Sequence, residues 1–212
     1  MFDIDYKGGN TVIISTKKAT LVFDPKLSLV GLKDIVMKDA VELSTEDRFA
    51  VKNDDAKLKI SVPGEYGVGD VDIKGISARR HIDTEDQAPS SVIFKLSIGD
   101  SRIAVLGNVF SKLSDDQLEE IGLVDILIIP VGGSGYTLDA VSAAKLTAKI
   151  DPKVVIPIHY EDKDLKYEVP QESVDLFLKE INAPIEKVSK YKVKNGNVYP
   201  SSLTAVVLDR TS

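Results

Sequence analysis

Apolar positions in this chain recur at two spacings, and the spacing changes near the middle. Through the first half the period is two. Thr11-Val-Ile-Ile-Ser15 and Thr20-Leu-Val-Phe-Asp24 are β-branched and apolar, and the polar Thr16-Lys-Lys-Ala19 between them predicts a hairpin that Asp24-Pro25 stops. Lys57-Leu-Lys-Ile-Ser-Val62 and Val71-Asp-Ile-Lys-Gly-Ile76 alternate as half-buried strands do, with Pro63-Gly-Glu-Tyr-Gly-Val-Gly69 read as a glycine-punctuated turn between them. Ser91-Val-Ile-Phe-Lys-Leu-Ser-Ile98 and Arg102-Ile-Ala-Val-Leu106 flank the compact Gly99-Asp100 connection.

In the second half the period lengthens. Ser114-Asp-Asp-Gln117 has capping-box spacing and predicts a short helix ending at Gly122. Thr137-Leu-Asp-Ala140 opens a helix to about Ile150, where Asp151-Pro152 ends it. Pro170 is expected to open a third, with Val174, Phe177, Leu178 and Ile181 on one face. Leu203-Thr-Ala-Val-Val-Leu208 reads as a last strand, and Asn195-Gly196 between Val193 and Val198 as a hairpin turn. Strands first, then strands alternating with helices, suit two packed sheets with helices outside: an αββα sandwich, as one domain over residues 1–212.

Composition narrows the function classes. The balance of 27 basic and 33 acidic residues gives a net charge of −6, which argues against nucleic acid or an anionic membrane as partner. Lys187, Lys190, Lys192 and Lys194, near Tyr191 and Tyr199, are read as the solvated face of the expected hairpin. There is no cysteine, so disulfides, thiolate nucleophiles and Cys-containing zinc sites are excluded. The opening Met1-Phe-Asp-Ile-Asp-Tyr-Lys7 lacks the apolar core of a signal peptide, and no apolar run reaches the ~18 residues of a membrane span. A cytoplasmic, soluble protein is expected.

Several segments then resemble a known family. Tyr6-Lys-Gly-Gly-Asn-Thr-Val-Ile-Ile-Ser15 with Leu21-Val-Phe-Asp-Pro25 is similar to the opening hairpin of the metallo-β-lactamase superfamily. Pro63–Ile76, Ala104-Val-Leu-Gly-Asn-Val109, Pro130-Val-Gly-Gly-Ser-Gly-Tyr-Thr-Leu-Asp139 and Pro152-Lys-Val-Val-Ile-Pro-Ile-His-Tyr160 resemble its lactonase-like branch of Zn-dependent hydrolases. The resemblance implies an αββα fold and a cleft in which histidines and a bridging carboxylate hold zinc and lower the pKa of bound water.

The implied ligands are largely missing. In the plainest register Thr45 and Asp47 stand at the first two histidines of His-x-His-x-Asp-His, with Phe49 and Ala50 at the next two positions. His81 falls at the third histidine, Asn108 at the bridging aspartate and His159 at the last histidine. The candidate remnant site is therefore Asp47, His81, Asn108 and His159, with His81 and His159 as ligands of any metal. No cofactor is expected, and zinc is left open only outside the standard two-metal arrangement.

Each candidate also has a plain structural reading: His159 as a packed strand end, His81 in a charged loop with Arg79, Arg80, Asp83, Glu85 and Asp86, Asn108 as a turn, Asp47 as an exposed acid. Gly132-Gly-Ser-Gly135 reads as a structural turn; it is neither a Walker loop nor a Gly-x-Ser-x-Gly elbow. Two functions follow. One is a binding or interaction protein that has lost the dinuclear site, its partner an unknown small molecule, a protein or a second copy. The other is a Zn-dependent-hydrolase-like enzyme acting on small esters, lactones or phosphorylated sugars through an atypical site.

Overall fold

The structure, a computed structural model, describes residues 1–84, 86–196 and 198–211. Its first sheet begins with β1 (Phe2–Gly8), β2 (Thr11–Ser15) and β3 (Thr20–Phe23), an antiparallel meander. To this β4 (Val41–Leu43) and β5 (Leu58–Ile60) add in parallel. The second sheet holds β6 (Gly64–Val68), β7 (Val71–Ala78), β8 (Ser91–Ile98) and β9 (Ser101–Val105), all antiparallel neighbours. It continues in parallel through β10 (Ile126–Pro130) and β11 (Val154–Ile158), with α1 (Asp115–Ile121) and α2 (Ala140–Ile150) as crossovers. After α3 (Val174–Ile181) come β12 (Ile185–Val188), β13 (Tyr191–Val193) and β14 (Thr204–Leu208). The final orders are β13-β1-β2-β3-β4-β5 and β12-β14-β11-β10-β9-β8-β7-β6.

Side-chain alternation sorts these strands into layers. In β10, Ile126 and Ile128 face the first sheet, in a core with Ile4, Ile14, Phe23 and Leu43. Leu127 and Ile129 point the other way, onto Leu146 and Ile150 of α2 and Phe177 and Leu178 of α3. Being covered on both faces, β10 and β11 read as unbroken apolar runs. The outer layer on the first sheet is thin: Ile13 and Val22 are covered by Ala40 and Ile35, with a 3-10 helix over Leu27–Val30 nearby. Among the described residues no helix is long and apolar enough to cross a membrane.

The sandwich, the presence of three helices and the capping box of α1 agree with the sequence reading. Ser114 and Gln117 form the reciprocal capping box, and Asp139 caps α2. Four details differ. Phe2, Ile4 and Tyr6 are buried between half-buried charged neighbours, so the charged N-terminal segment is a full strand. The expected glycine turn is the edge strand β6, whose Glu65 and Gly67 face solvent, a place where glycine is tolerated. Pro170 lies in a loop, and α3 starts only after its N-cap, Ser173. Finally, β13 pairs with β1, and Lys190 forms an ion pair with Asp5 at 3.0 Å, so Lys190 and Lys192 edge the first sheet, while Lys187 lies in β12 at the edge of the second. The return arm of the expected hairpin runs through Asn197, outside the described residues.

Phe94 has no exposed surface and meets Phe23 edge-on across the sheets, with ring centroids 5.9 Å apart. Phe94→Ala should lower stability by ~3–5 kcal/mol in a denaturant titration, because the tightly packed interior cannot collapse into the void.

Candidate functional site

Parallel strands from both sheets end at one edge of the sandwich, and the residues just beyond them are buried and polar. This is the edge where open α/β sheets hold ligands. Asp24 follows β3, Thr45 and Glu46 follow β4, Asn108 follows β9 and His159 follows β11; all are buried. Asp24 and His159 both have positive φ, 48° and 51°, a conformation that costs a non-glycine residue strain and tends to persist at functional sites.

Thr45 faces Asp24. Its N–H donates to Asp24 Oδ1 at 2.7 Å and its hydroxyl to Oδ2 at 2.7 Å, tying β3 to β4. In extended chain the next side chain points the opposite way, so Glu46 enters the cleft and Asp47 turns to solvent on a 3-10 turn, Asp47–Phe49. Arg48, from the same turn, points back in. Of the two residues assigned to the first histidine positions, Thr45 is bonded to Asp24 and Asp47 lies outside, and Glu46 and Arg48 face the cleft.

A chain of hydrogen bonds crosses the cleft with one polarity. An ionised Glu46 only accepts, so Asn108 turns its amide nitrogen to Glu46 Oε1 at 3.2 Å. Asn108 Oδ1 then accepts from Asn10 Nδ2 at 3.2 Å, and Asn10 Oδ1 meets His159 Nδ1 at 2.7 Å. That places the His159 proton on Nδ1 and leaves Nε2 as the acceptor. The ring stacks on Tyr167, centroids 5.0 Å apart, and the backbone N–H donates to the Tyr6 hydroxyl at 3.2 Å. Asn10, absent from the sequence candidates, signals itself only as the polar residue after the Gly8-Gly9 turn.

Two arginines close on Glu46. Arg48 Nε lies 3.3 Å and Arg80 Nη1 3.9 Å from Glu46 Oε2; the first is near enough for an ion pair but not aligned as a hydrogen bond. Arg80 is itself held by Asp83, at 3.0 Å through Nε and 2.7 Å through Nη2. Asp83 is buried, so this loop is not the fully solvated one the sequence suggested; Glu85 lies outside the described residues. His81 donates its backbone N–H to the Asn108 carbonyl at 2.6 Å, while its Nδ1 is buried without a partner. The structure therefore joins Asn108 to His159 through Asn10, sets His81 beside the Asn108 backbone and leaves Asp47 outside.

Burial dominates the electrostatics. It pushes the Asp24 carboxyl up to about 8 against the two Thr45 hydrogen bonds, and raises Glu46 against Arg48, the Asn108 amide and Arg80. It pulls His81 down, with Asp139 and the Val109 carbonyl opposing. It holds His159 down to about 3, helped by Arg48. The cavity lined by Arg48, Phe49, Tyr136, His159, Tyr167 and Gln171 measures about 40 Å³. At roughly 10–15 Å³ per water, it admits a few waters but no ester or sugar without opening.

The donor set does not fit the two-metal centre that the resemblance implies. Glu46 is engaged by two guanidiniums and an amide, and Asn108 is a neutral amide. Among the described residues no group of three or more His, Cys, Asp or Glu could hold an ion. The glycine turn is structural, as expected. A side chain on Gly132 would overlap the His159 carbonyl and Gln171, and the Ser134 hydroxyl donates to the Pro170 carbonyl.

Two predictions follow from this geometry. A methyl group on Gly107 would overlap the Thr45 side chain. Gly107→Ala should cost roughly 1–3 kcal/mol by denaturant titration, since the obstacle is the side chain that holds Asp24. The second concerns pH. Asp24 binds its proton more tightly when folded, so its contribution is full below about 4 and lost as pH rises through about 8. His159 does the reverse: its contribution is present above about 6.5 and lost as pH falls through about 3. In melting temperature against pH, Asp24→Asn should remove part of the alkaline slope and His159→Asn part of the acid slope.

Comparison with known proteins agrees with the fold. A UPF0173 protein of Pyrococcus abyssi is 32% identical over 102 residues, covering 48% of this chain and 44% of that protein. A UPF0173 metal-dependent hydrolase of Carboxydothermus hydrogenoformans is 30% identical over 104 residues, covering 47% and 45%. The matched part thus spans about half the length of these curated relatives. Among solved structures, a protein of Thermotoga maritima assigned as a Zn-dependent hydrolase of the metallo-β-lactamase superfamily superposes with a TM-score of 0.76. It shares 26% identity, over 98% of this chain and 99% of that one. A metallo hydrolase of Ignicoccus hospitalis, 14% identical with a TM-score of 0.61 over 85% and 90%, shares the fold. The family model described as the beta-lactamase superfamily domain matches residues 3–159, and the chain belongs to that superfamily.

Proposed function

We propose that the protein is a divergent hydrolase acting on small esters, lactones or phosphorylated sugars through an atypical site of Glu46, Arg48, Arg80, His81, Asn108 and His159. The observation that carries this reading is the buried polar chain from His159 to Glu46. Burying a carboxylate, two amides and an imidazole at strand ends is expensive, and an apolar edge would cost less. Perturbed groups gathered in a cleft mark functional sites. The names of the relatives point to hydrolysis rather than to a non-catalytic role.

The residues divide the work by chemistry. Arg48, about a third exposed and lining the cavity, takes the anionic part of the substrate. His81 is the general base: burial keeps it neutral at physiological pH, and its Nδ1, buried without a partner in the closed cleft, is uncovered as the cleft opens to admit substrate. It takes a proton from water as the oxygen adds to the acyl or phosphoryl centre, and returns it to the departing oxygen as that bond breaks, so that the alcohol leaves neutral. His159, held down to about 3, is too weak a base at neutral pH and serves as a fixed acceptor. Asn108 spends its amide on Glu46 and Asn10, so it positions them rather than orienting water.

A second reading, a binding or interaction protein without turnover, is favoured by the small cavity and by the partners already gathered on Glu46. Hydrolysis assays on an ester, a lactone and a sugar phosphate separate the two. The first reading expects turnover of at least one class, reduced ~10²-fold or more in His81→Ala, the usual scale of a lost general base. Activity equal in the variant removes His81 from its role, and no turnover of any class leaves the binding reading.

A further inference from the structure

We propose that Arg48 and Arg80 replace the metal ions of this cleft: their guanidinium groups supply, permanently and from within the chain, the positive charge that a buried acid needs. The inference does not depend on turnover.

It rests on how Glu46 is held. The residue is 5% exposed, and a carboxylate this deep requires a cation and hydrogen bonds or it takes up a proton. Two guanidiniums approach the same oxygen, Oε2, from different elements: Arg48 at 3.3 Å from the turn after β4, Arg80 at 3.9 Å from the loop after β7. Each is aimed by further contacts. Arg48 lies over the rings of Phe49 and Tyr136, 4.7 and 5.0 Å from their centroids, and its Nη1 donates to the Tyr136 hydroxyl at 3.3 Å. Arg80 is fixed by its two bonds to Asp83, which Ser90 holds in turn at 2.8 Å. The fork of an arginine suits such shared, planar contacts, and its charge does not titrate.

The remaining donors close the argument. Glu46 Oε1 accepts from Asn108, Asn108 Oδ1 from Asn10, and Asn10 Oδ1 from the protonated Nδ1 of His159. An incoming ion would find these oxygens engaged, each on the side from which a hydrogen already approaches, and would lie beside two fixed like charges. His159 Nε2 remains as an acceptor, and one imidazole is not a metal site.

The test uses full-length protein without a histidine tag, purified without chelator. Expected are substoichiometric metal by elemental analysis, no tight zinc binding by calorimetry, and a melting temperature unmoved by chelator or zinc. Arg48→Met should lower the melting temperature, because it strips a cation from buried Glu46. Glu46→Gln added to Arg48→Met should restore part of that loss, since a neutral amide no longer needs the cation. Stoichiometric metal in the wild-type protein, or a melting temperature that falls with chelator, overturns the proposal. So does an Arg48→Met variant that melts like wild type, or a double variant that recovers nothing. If Arg48→Met does not fold, the wild-type metal content and chelator response decide alone.

Discussion

Burial of the Glu46 carboxylate is the constraint around which this end of the molecule is arranged. A charge removed from water must be compensated locally, and five elements contribute to that compensation. The turn after β4 brings Arg48, the loop after β7 brings Arg80, the end of β9 brings Asn108, the β1–β2 turn brings Asn10 and the end of β11 brings His159. The chain polarity runs outward from Glu46, so its charge state determines which way two amides point and which imidazole nitrogen holds the proton. Asp24 and Thr45, on the neighbouring strand ends, set where the chain turns so that Glu46 faces inward.

The two sheets make that arrangement geometrically available. Parallel strands β3, β4, β9, β10 and β11 all finish at one edge, so residues far apart in sequence are delivered to one place without long loops. The backbone is tight there. Gly107 passes against Thr45, and Gly132 against the His159 carbonyl and Gln171, so each glycine is required by close approach rather than by its own flexibility. The apolar layers on either side of β10 and β11 explain how this end tolerates strained residues: packing elsewhere fixes the strand positions, and Asp24 and His159 absorb the geometry at their ends.

Most of the fold was legible because burial imposes a period on each element. Alternation marked β5 and β7, β-branched apolar runs marked β2 and β3, the Gly99-Asp100 turn marked β8 and β9, a capping box marked α1 and the apolar stripe marked α3. The misses share a cause. β1 alternates as clearly as the others, but its charged residues at every second position read as a polar segment. β6 looked like a turn because glycine at an edge strand carries little strand signal. At the site, Asp47 fell one residue away from the side chains that enter the cleft, Glu46 and Arg48. In extended chain a slip of one residue inverts the facing of every side chain, and nothing in a single sequence says where β4 stops. Asn108 and His159 were found because each follows directly on a long apolar strand whose end is unambiguous. Asn10 was missed because a polar residue after two glycines needs no explanation beyond a turn.

Replacing metal ions by arginines changes what the cleft can respond to. A metal site varies with ion supply and with pH, because its ligands must lose protons before they bind. A guanidinium is charged at every physiological pH and cannot be removed by chelation. What titrates here is instead Asp24 and His159, and burial moves them in opposite senses, one carboxyl up to about 8 and one imidazole down to about 3. Both are therefore mostly in their neutral forms near pH 7, and the charged side chains that remain are those of the ion-pair cluster: Glu46, Asp83, the two arginines, and Glu168, 3.9 Å from Arg48 Nη1. A small anion enters such a group by exchanging places with a carboxylate on a guanidinium. Arg48, open to solvent on one side and to the cavity on the other, is the position where that exchange meets the least resistance.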